Sequence, residues 1–555
     1  MNPQGRFSQK VKIKDKDQPF VEQRRKTPAS ARLRALLIAT PLVSGAAVMM
    51  IELLGTRIIS PYFGVSLYVW TSLITVTLVA LAAGYWWGGH IADRKKSAGF
   101  LYVLIFLAGI FLLLIPELKK TFLLLSSHLG LRLGSLVGSF LLFFLPLFLL
   151  GAVTPYLVRL YAYDLGHIGK VVGHLYAIST AGSFVGTILT GFFFIPHFRN
   201  ESILLFISAT LMALSLVYWL FFQEKKRASD LLLLTLAVSF GVASLLGRLY
   251  ASPQQQAAQV INQTRLRLVA EENSAYGQIK VIEANDRIRV LVLDGLTQNA
   301  VDLVSGLSVH EYTYALQLIA RSYNPKGRTA LAIGLGAGTI PSELRRDGFM
   351  VDCVEINPVM AKVAEKYFGF NPAGINLFIQ DARYFVRNCQ KKYDLIFLDA
   401  FNGDSVPEHL LSLEMFSDLK RLLRPSGVLS INFFGSLAPG YSFGTSSLSR
   451  TLRQVFAQVV AFGNPPPNQI GGNIYFLATD EQKDPGQLIE VDQNRCFPPL
   501  YESLSRLWEH KIDLSAMSSS GLILTDAYNP ISFYDASTRE KVREGMQLLL
   551  GKMLL

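Results

Sequence analysis

The chain has 555 residues, half of them hydrophobic, and a formal net charge of +12. That apolar share is high for a soluble protein and points to membrane segments, while the length leaves room for two or three domains. Three cysteines, Cys353, Cys389 and Cys496, stand too far apart for a disulfide framework or a zinc site, so no metal is expected.

Residues 1–34 carry ten Lys or Arg against three Asp or Glu. The positive-inside bias makes this a basic cytoplasmic tail that can touch anionic lipid. Because membrane spans follow directly, no nucleic-acid partner is expected. The apolar run begins near Ala35, too far in for a cleavable signal.

Residues 35–250 form a transmembrane region of about seven helices, near 35–54, 70–90, 98–116, 134–158, 171–195, 202–222 and 230–249. Each stretch can span about 30 Å of hydrocarbon at ~1.5 Å per residue. "DRKK" (93–96) and "EKKR" (224–227) read as cytoplasmic loops, and the small residues of "STAGSFVGTILTG" (179–191) allow close helix packing. Glu52 and Arg57 suggest an interfacial ion pair capping the first span, with a substrate or proton site as the sharper alternative. Seven crossings from a cytoplasmic N-terminus put everything after Tyr250 outside. A further segment between 117 and 133, around Lys119, Lys120 and Arg132, would reverse that.

A polar linker, 251–263, leads into a small β-sheet subdomain over 264–304, built from the alternating runs "RLRLVAEE", "GQIKVIEA" and "IRVLVLDG". From 305 to 535 short apolar strands alternate with amphipathic helices. That pattern predicts an α/β Rossmann-like domain with a mostly parallel sheet, helices on both faces and a ligand outside the carboxyl ends of the strands. A C-terminal helix is expected over 536–555. Cys353 falls within a core strand and packs there.

In "IGLGAGT" the glycines at 334, 336 and 338 permit a tight turn and close approach of a ligand. The spacing is G-x-G-x-G, not that of a dinucleotide site. Glu355 ends the second strand, where a carboxylate can accept both ribose hydroxyls; Asp381 follows the third, placed for an adenine amino group. A glycine turn and two strand-end acids in register indicate S-adenosylmethionine or a close derivative, hence a methyltransferase-type fold. Asp399 ends the fourth strand in "YDLIFLDAFNGDSVPEHL", with Asp404 and Glu408 in the loop beyond.

Residues 266–480 resemble spermidine synthases, the aminopropyltransferases of polyamine synthesis. The resemblance runs in order through "ENSAYGQIKV", "LVLDGLTQNAVD", "SVHEYTYAL", "GLGAGT", "VEINP", "DARYFV" and "YDLIFLDAF", with "LTDAYNPI" at 524–531. The whole chain resembles bacterial forms in which a multi-span region precedes such a domain. The resemblance implies that Gln278, Gln298 and His310 line the cleft floor and that Gly334, Gly336, Gly338, Glu355, Ile356, Asp381 and Ala382 hold the nucleoside. It implies Asp399 as the catalytic acid, with Asp404 and Tyr312 beside it, and Glu311, Asp399 and Asp526 as the amine-binding carboxylates. The implied co-substrate is decarboxylated S-adenosylmethionine, or S-adenosylmethionine itself, with putrescine or another small amine as acceptor and a homo-oligomer as the assembly. A free amine has a pKa near ~10, so it must lose a proton before attacking the carbon beside a sulfonium, and a nearby carboxylate can direct that proton.

The chain departs from the family at the glycine loop, where G-G-G-D-G is usual and Leu335 and Ala337 stand here. Losing that aspartate removes a partner for the aminopropyl ammonium and relaxes the preference for the decarboxylated co-substrate. An S-adenosylmethionine-dependent methyltransferase is therefore an alternative. So is a transporter or sensor whose soluble domain only binds a polyamine or nucleoside. Because both co-substrates arise in the cytosol, the catalytic domain of this multi-pass cell-membrane protein is expected to face the cytosol.

Overall fold

The computed structural model describes residues 31–541, apart from 65–66, 96, 162–167, 224–258, 262–263, 402–405, 464–470, 482–488, 516–520, 537 and 539. Among these, six helices are long and apolar enough to cross a membrane. They are α1 (Ala31–Phe63), α2 (Leu67–Arg94), α3 (Ala98–Ser127), α4 (Gly130–Gly151) running on into α5 (Val153–Tyr161), α6 (Ile168–Ile188) passing through a π-helical turn into α7 (Ile195–His197), and α8 (Asn200–Phe221). The seventh apolar stretch, 230–249, lies outside the described residues, as do most of the basic tail, the linker and the C-terminal helix.

Small residues let these helices approach closely. A Cβ on Gly182 would stand 2.0 Å from the Leu42 carbonyl oxygen and one on Gly186 2.7 Å from that of Ala46, so α6 lies parallel to and against α1. Gly84 and Gly88 of α2 meet the α4–α5 junction at Phe148 and Ala152 in the same way.

The region 117–133 holds no extra span. Helix α3 continues through Lys119 and Lys120 to Ser127, and α4 starts three residues later. Lys119 is neutralised by Glu201 of α8 at 2.8 Å. The alternation of helices therefore gives the bundle two distinct ends. One holds the start of α1 and the α2–α3 connection, where Arg159 pairs with Asp93 at 2.7 Å. The other holds the end of α1, the α3–α4 turn and the start of α8.

A five-stranded antiparallel sheet follows in the order β1 (Gln259–Ile261), β2 (Thr264–Ser274), β3 (Gly277–Ala284), β4 (Ile288–Leu293), β5 (Leu296–Asp302). The β4–β5 turn, Asp294-Gly295, has positive φ at both residues, as a tight hairpin demands. One face of this sheet, with Ile279, Val281 and Leu291, packs on Ala337 and Met360 of the next domain.

The second sheet has seven strands in the order β11-β12-β10-β9-β6-β7-β8. Its parallel core is β6 (Thr329–Ile333), β7 (Met350–Glu355), β8 (Ile375–Ile379), β9 (Tyr393–Leu398) and β10 (Leu423–Gly435); β12 (Gly472–Thr479) and β11 (Gln458–Phe462) add antiparallel. The intervening helices are α9 (Tyr312–Tyr323), α10 (Thr339–Arg346), α11 (Pro358–Phe368), α12 (Ala382–Asn388), α13 (Leu413–Leu422) and α14 (Phe443–Leu452). Two apolar layers bury the sheet, one with α9 and α10, the other with α13 and α14. Strand order reverses between β6 and β9, which makes their carboxyl ends the switch point where a ligand can enter.

The expected Glu52–Arg57 pair is replaced by a different contact. Arg57 donates to the backbone carbonyls of Ser274 and Ala275 at the tip of the β2–β3 hairpin. Near the C-terminus, Phe533 packs on Tyr68 with ring centroids 6.0 Å apart, beneath the Arg132 guanidinium. The globular half thus rests on the end of the bundle that carries the α3–α4 turn.

Candidate functional site

A cavity of about 400 Å³ opens at the switch point, between the carboxyl ends of β6, β7 and β9 and the edge of the small sheet. Gly334 leaves β6 with φ +99°, and a Cβ there would stand 2.2 Å from the Asp399 carbonyl oxygen, so only glycine lets the two strand ends touch. Gly336 has φ +54° and nothing within 4 Å of where its Cβ would be, which leaves the backbone open to the cavity.

Glu355 ends β7 almost fully buried. Its carboxylate accepts from the Leu335 amide at 3.1 Å and the Asn357 amide at 2.7 Å, which anchors it to the glycine turn and leaves further lone pairs toward the cavity. Burial raises its pKa above the usual carboxylate range despite these backbone bonds. Asn357 then caps α11, accepting from the Val359 amide at 3.0 Å. Asp381 caps α12 through Oδ1, accepting from the Tyr384 amide at 2.9 Å, while Oδ2 faces His409 Nε2 at 3.3 Å.

Asp399 stands at the end of β9. Burial pushes its carboxyl up to about 6, against a hydrogen bond from Asn432 Nδ2 at 2.9 Å that favours the charged form. Two phenols stand close by. Tyr312 Oη donates to the Gln298 carbonyl at 3.0 Å and accepts from Asn299 at 3.1 Å; Tyr475 Oη donates to Glu311 at 3.3 Å. Burial holds both phenols protonated, with the Asp399 charge acting in the same direction. Burial also lowers His310 to about 4, so its ring is neutral.

Three buried polar atoms on this one cavity have no protein partner: Thr297 Oγ1, His310 Nε2 and Asn432 Oδ1. Buried polar groups are otherwise satisfied, so these atoms fit a polar ligand that completes them. With Glu355 for a diol and apolar walls from Leu293, Leu296, Met360 and Phe434, the residues suit an adenosyl-type molecule.

Of the residues singled out from the sequence, Gln298, His310, Tyr312, Gly334, Gly336, Glu355, Ile356, Asp381, Ala382 and Asp399 all line the cavity. Four others do not. Gln278 sits on the β3 face opposite Ile279 and Val281, where its amide donates to Glu271 at 2.7 Å. Gly338 is the left-handed residue before α10, where a Cβ would stand 2.5 Å from the Phe370 ring. Glu311 is held by Tyr475 and Ser503. Asp526 answers Arg383, which is buried, and Ser412. Burial would raise the Asp526 pKa, but the bonds from Ser412 and Arg383 outweigh it and keep the group ionised. Asp404 lies outside the described residues.

Sequence reasoning missed Thr297, His409 and Asn432. Asn432 had a readable signal, a lone amide within the apolar run "VLSINFF" of β10. Ala337, at the position of the family's loop aspartate, is buried among Ile279, Leu291 and Met360.

The spermine/spermidine synthase domain family matches residues 309–482. A polyamine aminopropyltransferase of Vibrio vulnificus is 40% identical over 167 residues, 28% of this chain and 52% of that protein. An N-terminal histidine N-methyltransferase of Emericella nidulans is 30% identical over 204 residues, 35% of this chain and 36% of that protein. Among solved structures, a probable spermidine synthase from Corynebacterium glutamicum is 18% identical, covering 47% of this chain and 97% of that one, with a TM-score of 0.39. The chain thus spans about half, or less, of the length of these two curated relatives. The globular half of the chain is similar to the spermine/spermidine synthase family, over residues 309–482.

Proposed function

We propose that this protein is a membrane-anchored aminopropyltransferase, moving an aminopropyl group from decarboxylated S-adenosylmethionine to an amine such as putrescine. The observation that carries this reading is Asp399, a switch-point carboxylate raised to about 6 in the cavity that also holds Glu355 and three unpartnered polar atoms. When bound, the sulfonium nucleoside supplies an electrophilic carbon. Glu355 would accept its ribose hydroxyls, Asp381 and Ala382 its base edge, and Ile356 would cover the ring. Asp399 would take the proton from the incoming ammonium, a task suited to a base with a pKa just below neutrality. Asn432 would orient that carboxylate, and the fixed Tyr312 ring would wall the cavity beside it and exclude water.

The test is turnover by the purified full-length protein in detergent, given decarboxylated co-substrate and putrescine. Spermidine and 5′-methylthioadenosine are the expected products. Failure to form either, with nucleoside binding intact, removes the proposal. Ala337 supports a second reading, transfer of a methyl group from ordinary S-adenosylmethionine, since no loop carboxylate stands there for an aminopropyl ammonium. Tighter binding of the carboxylated co-substrate together with a methylated product would select it.

The side of the membrane also belongs here. Co-substrate supply favours the cytosol. The contacts of Arg57, Tyr68 and Arg132 with the globular half support the opposite face, since the basic residues Arg94, Lys95 and Arg159 lie at the other end of the bundle. By sequence, the apolar stretch 230–249 has the length to cross a membrane as well. A C-terminal fusion reporter active only outside the cytosol should score positive; activity confined to the cytosol would overturn this orientation.

A further inference from the structure

The tip of the β2–β3 hairpin faces two ways. Its two-residue loop, Ala275-Tyr276, closes on the Ser274–Gly277 pair, and Tyr276 lines the cavity. On the other side the loop meets helix α1. Arg57 Nη1 donates to the Ser274 carbonyl at 3.4 Å, and Nη2 donates to that of Ala275. A guanidinium keeps its charge and presents its donors in a fixed fork, so it suits two successive carbonyls.

Ser274 passes this contact inward. Its side chain is buried; Oγ donates to the Gly277 carbonyl at 2.9 Å and accepts from the Tyr276 amide at 3.1 Å and Asn357 Nδ2 at 3.0 Å. The backbone N–H of the same Asn357 donates to Glu355 at 2.7 Å. Hydrogen bonds linked through the residues Ser274 and Asn357 thus connect a membrane helix to the carboxylate that would hold the ribose. The loop has little freedom to slide, because a Cβ at Gly277 would lie 2.6 Å from Asp294 Oδ2 and Asp294 accepts from the Gln278 amide at 2.9 Å.

Resting on the nucleoside reading of the cavity, we infer that Arg57 is a positioning residue for that site. Through the hairpin it holds Tyr276 at the cavity wall and Asn357 against Glu355. The membrane region is then part of the scaffold of the site as well as an anchor.

The experiment uses full-length protein in detergent, with 5′-methylthioadenosine as the calorimetric probe and steady-state kinetics alongside. Arg57→Ala should weaken probe binding about tenfold and raise KM for the sulfonium nucleoside by a similar factor, with kcat within about twofold of wild type. Arg57→Lys should recover part of the loss. Ser274→Ala should weaken binding on its own, and the double variant should be no worse than Arg57→Ala alone, because both cut one path. Wild-type affinity and KM in Arg57→Ala at an unchanged thermal midpoint would overturn the inference. If that variant does not fold, wild-type affinity in Ser274→Ala overturns it. The underlying reading fails separately: wild-type protein that binds no probe, or Glu355→Gln that binds it unchanged, sinks the nucleoside site itself.

Discussion

Asn432 of β10 donates its side-chain amide to Asp399 at the end of β9, at 2.9 Å, while its own carbonyl oxygen is left without a protein partner. The amide therefore favours the charged carboxylate and keeps an acceptor free for a substrate N–H. Asp399→Asn should lower kcat by about 10² to 10⁴ with little change in nucleoside affinity, measured by turnover and calorimetry. Asn432→Ala should give a smaller loss, because the base survives and only its orientation is relaxed.

The acid limb of the rate profile should report Asp399. Its carboxyl is raised to about 6 by burial against the Asn432 bond, and the base works ionised, so kcat/KM rises with pH through about 6 and then levels. Asn432→Ala removes the bond that favours the charge, so the limb should move to higher pH. A limb that stays in place in this variant would separate it from Asp399.

Glu343 of α10 offers a stability test away from the cavity. Burial raises its carboxyl to about 7, with the bond from Gln317 acting the other way. The folded pKa is above the unfolded one, so its contribution is fully present below about pH 4.3 and is lost as pH rises through about 7. Glu343→Gln, which stays neutral, should have a higher thermal midpoint than wild type at pH 8, and the gap should close by pH 4. Parallel melting curves across this range check it.

Ala337→Asp restores the carboxylate usual in the family's glycine loop. Here the side chain is buried against Ile279, Leu291 and Met360, so the charge would enter an apolar cluster. A loss of about 1–3 kcal/mol is expected from an unpaired polar group, with no gain in preference for the decarboxylated co-substrate. A stable variant with such a gain would show that this position faces the nucleoside. Gly334→Ala should be worse for another reason: the backbone has φ +99° and the new Cβ would strike the Asp399 carbonyl.

Much of this site is legible in the linear chain because strand ends carry it. A glycine turn after β6, Glu355 closing β7 and Asp399 closing β9 must converge once the strands run parallel, and the alternation of strands and helices makes them parallel. Residues placed by side-chain direction were harder. Gln278 differs from Ile279 by one position, and in a strand that step turns the side chain to the opposite face. Asp526, expected among the amine-binding carboxylates, pairs instead with Arg383, 143 residues away.

The sequence by itself determined the apolar helices, the parallel sheet and the acids at its carboxyl edge, since each follows from local periodicity and the geometry of one or two strands. Only the tertiary structure decided that Asn432 meets Asp399, that Ala337 is walled in by the small sheet, and that the β2–β3 hairpin sits on Arg57. Those contacts join residues far apart in the chain. They depend on strand order, register and the end of the bundle on which the globular half rests, and no short window of sequence encodes them.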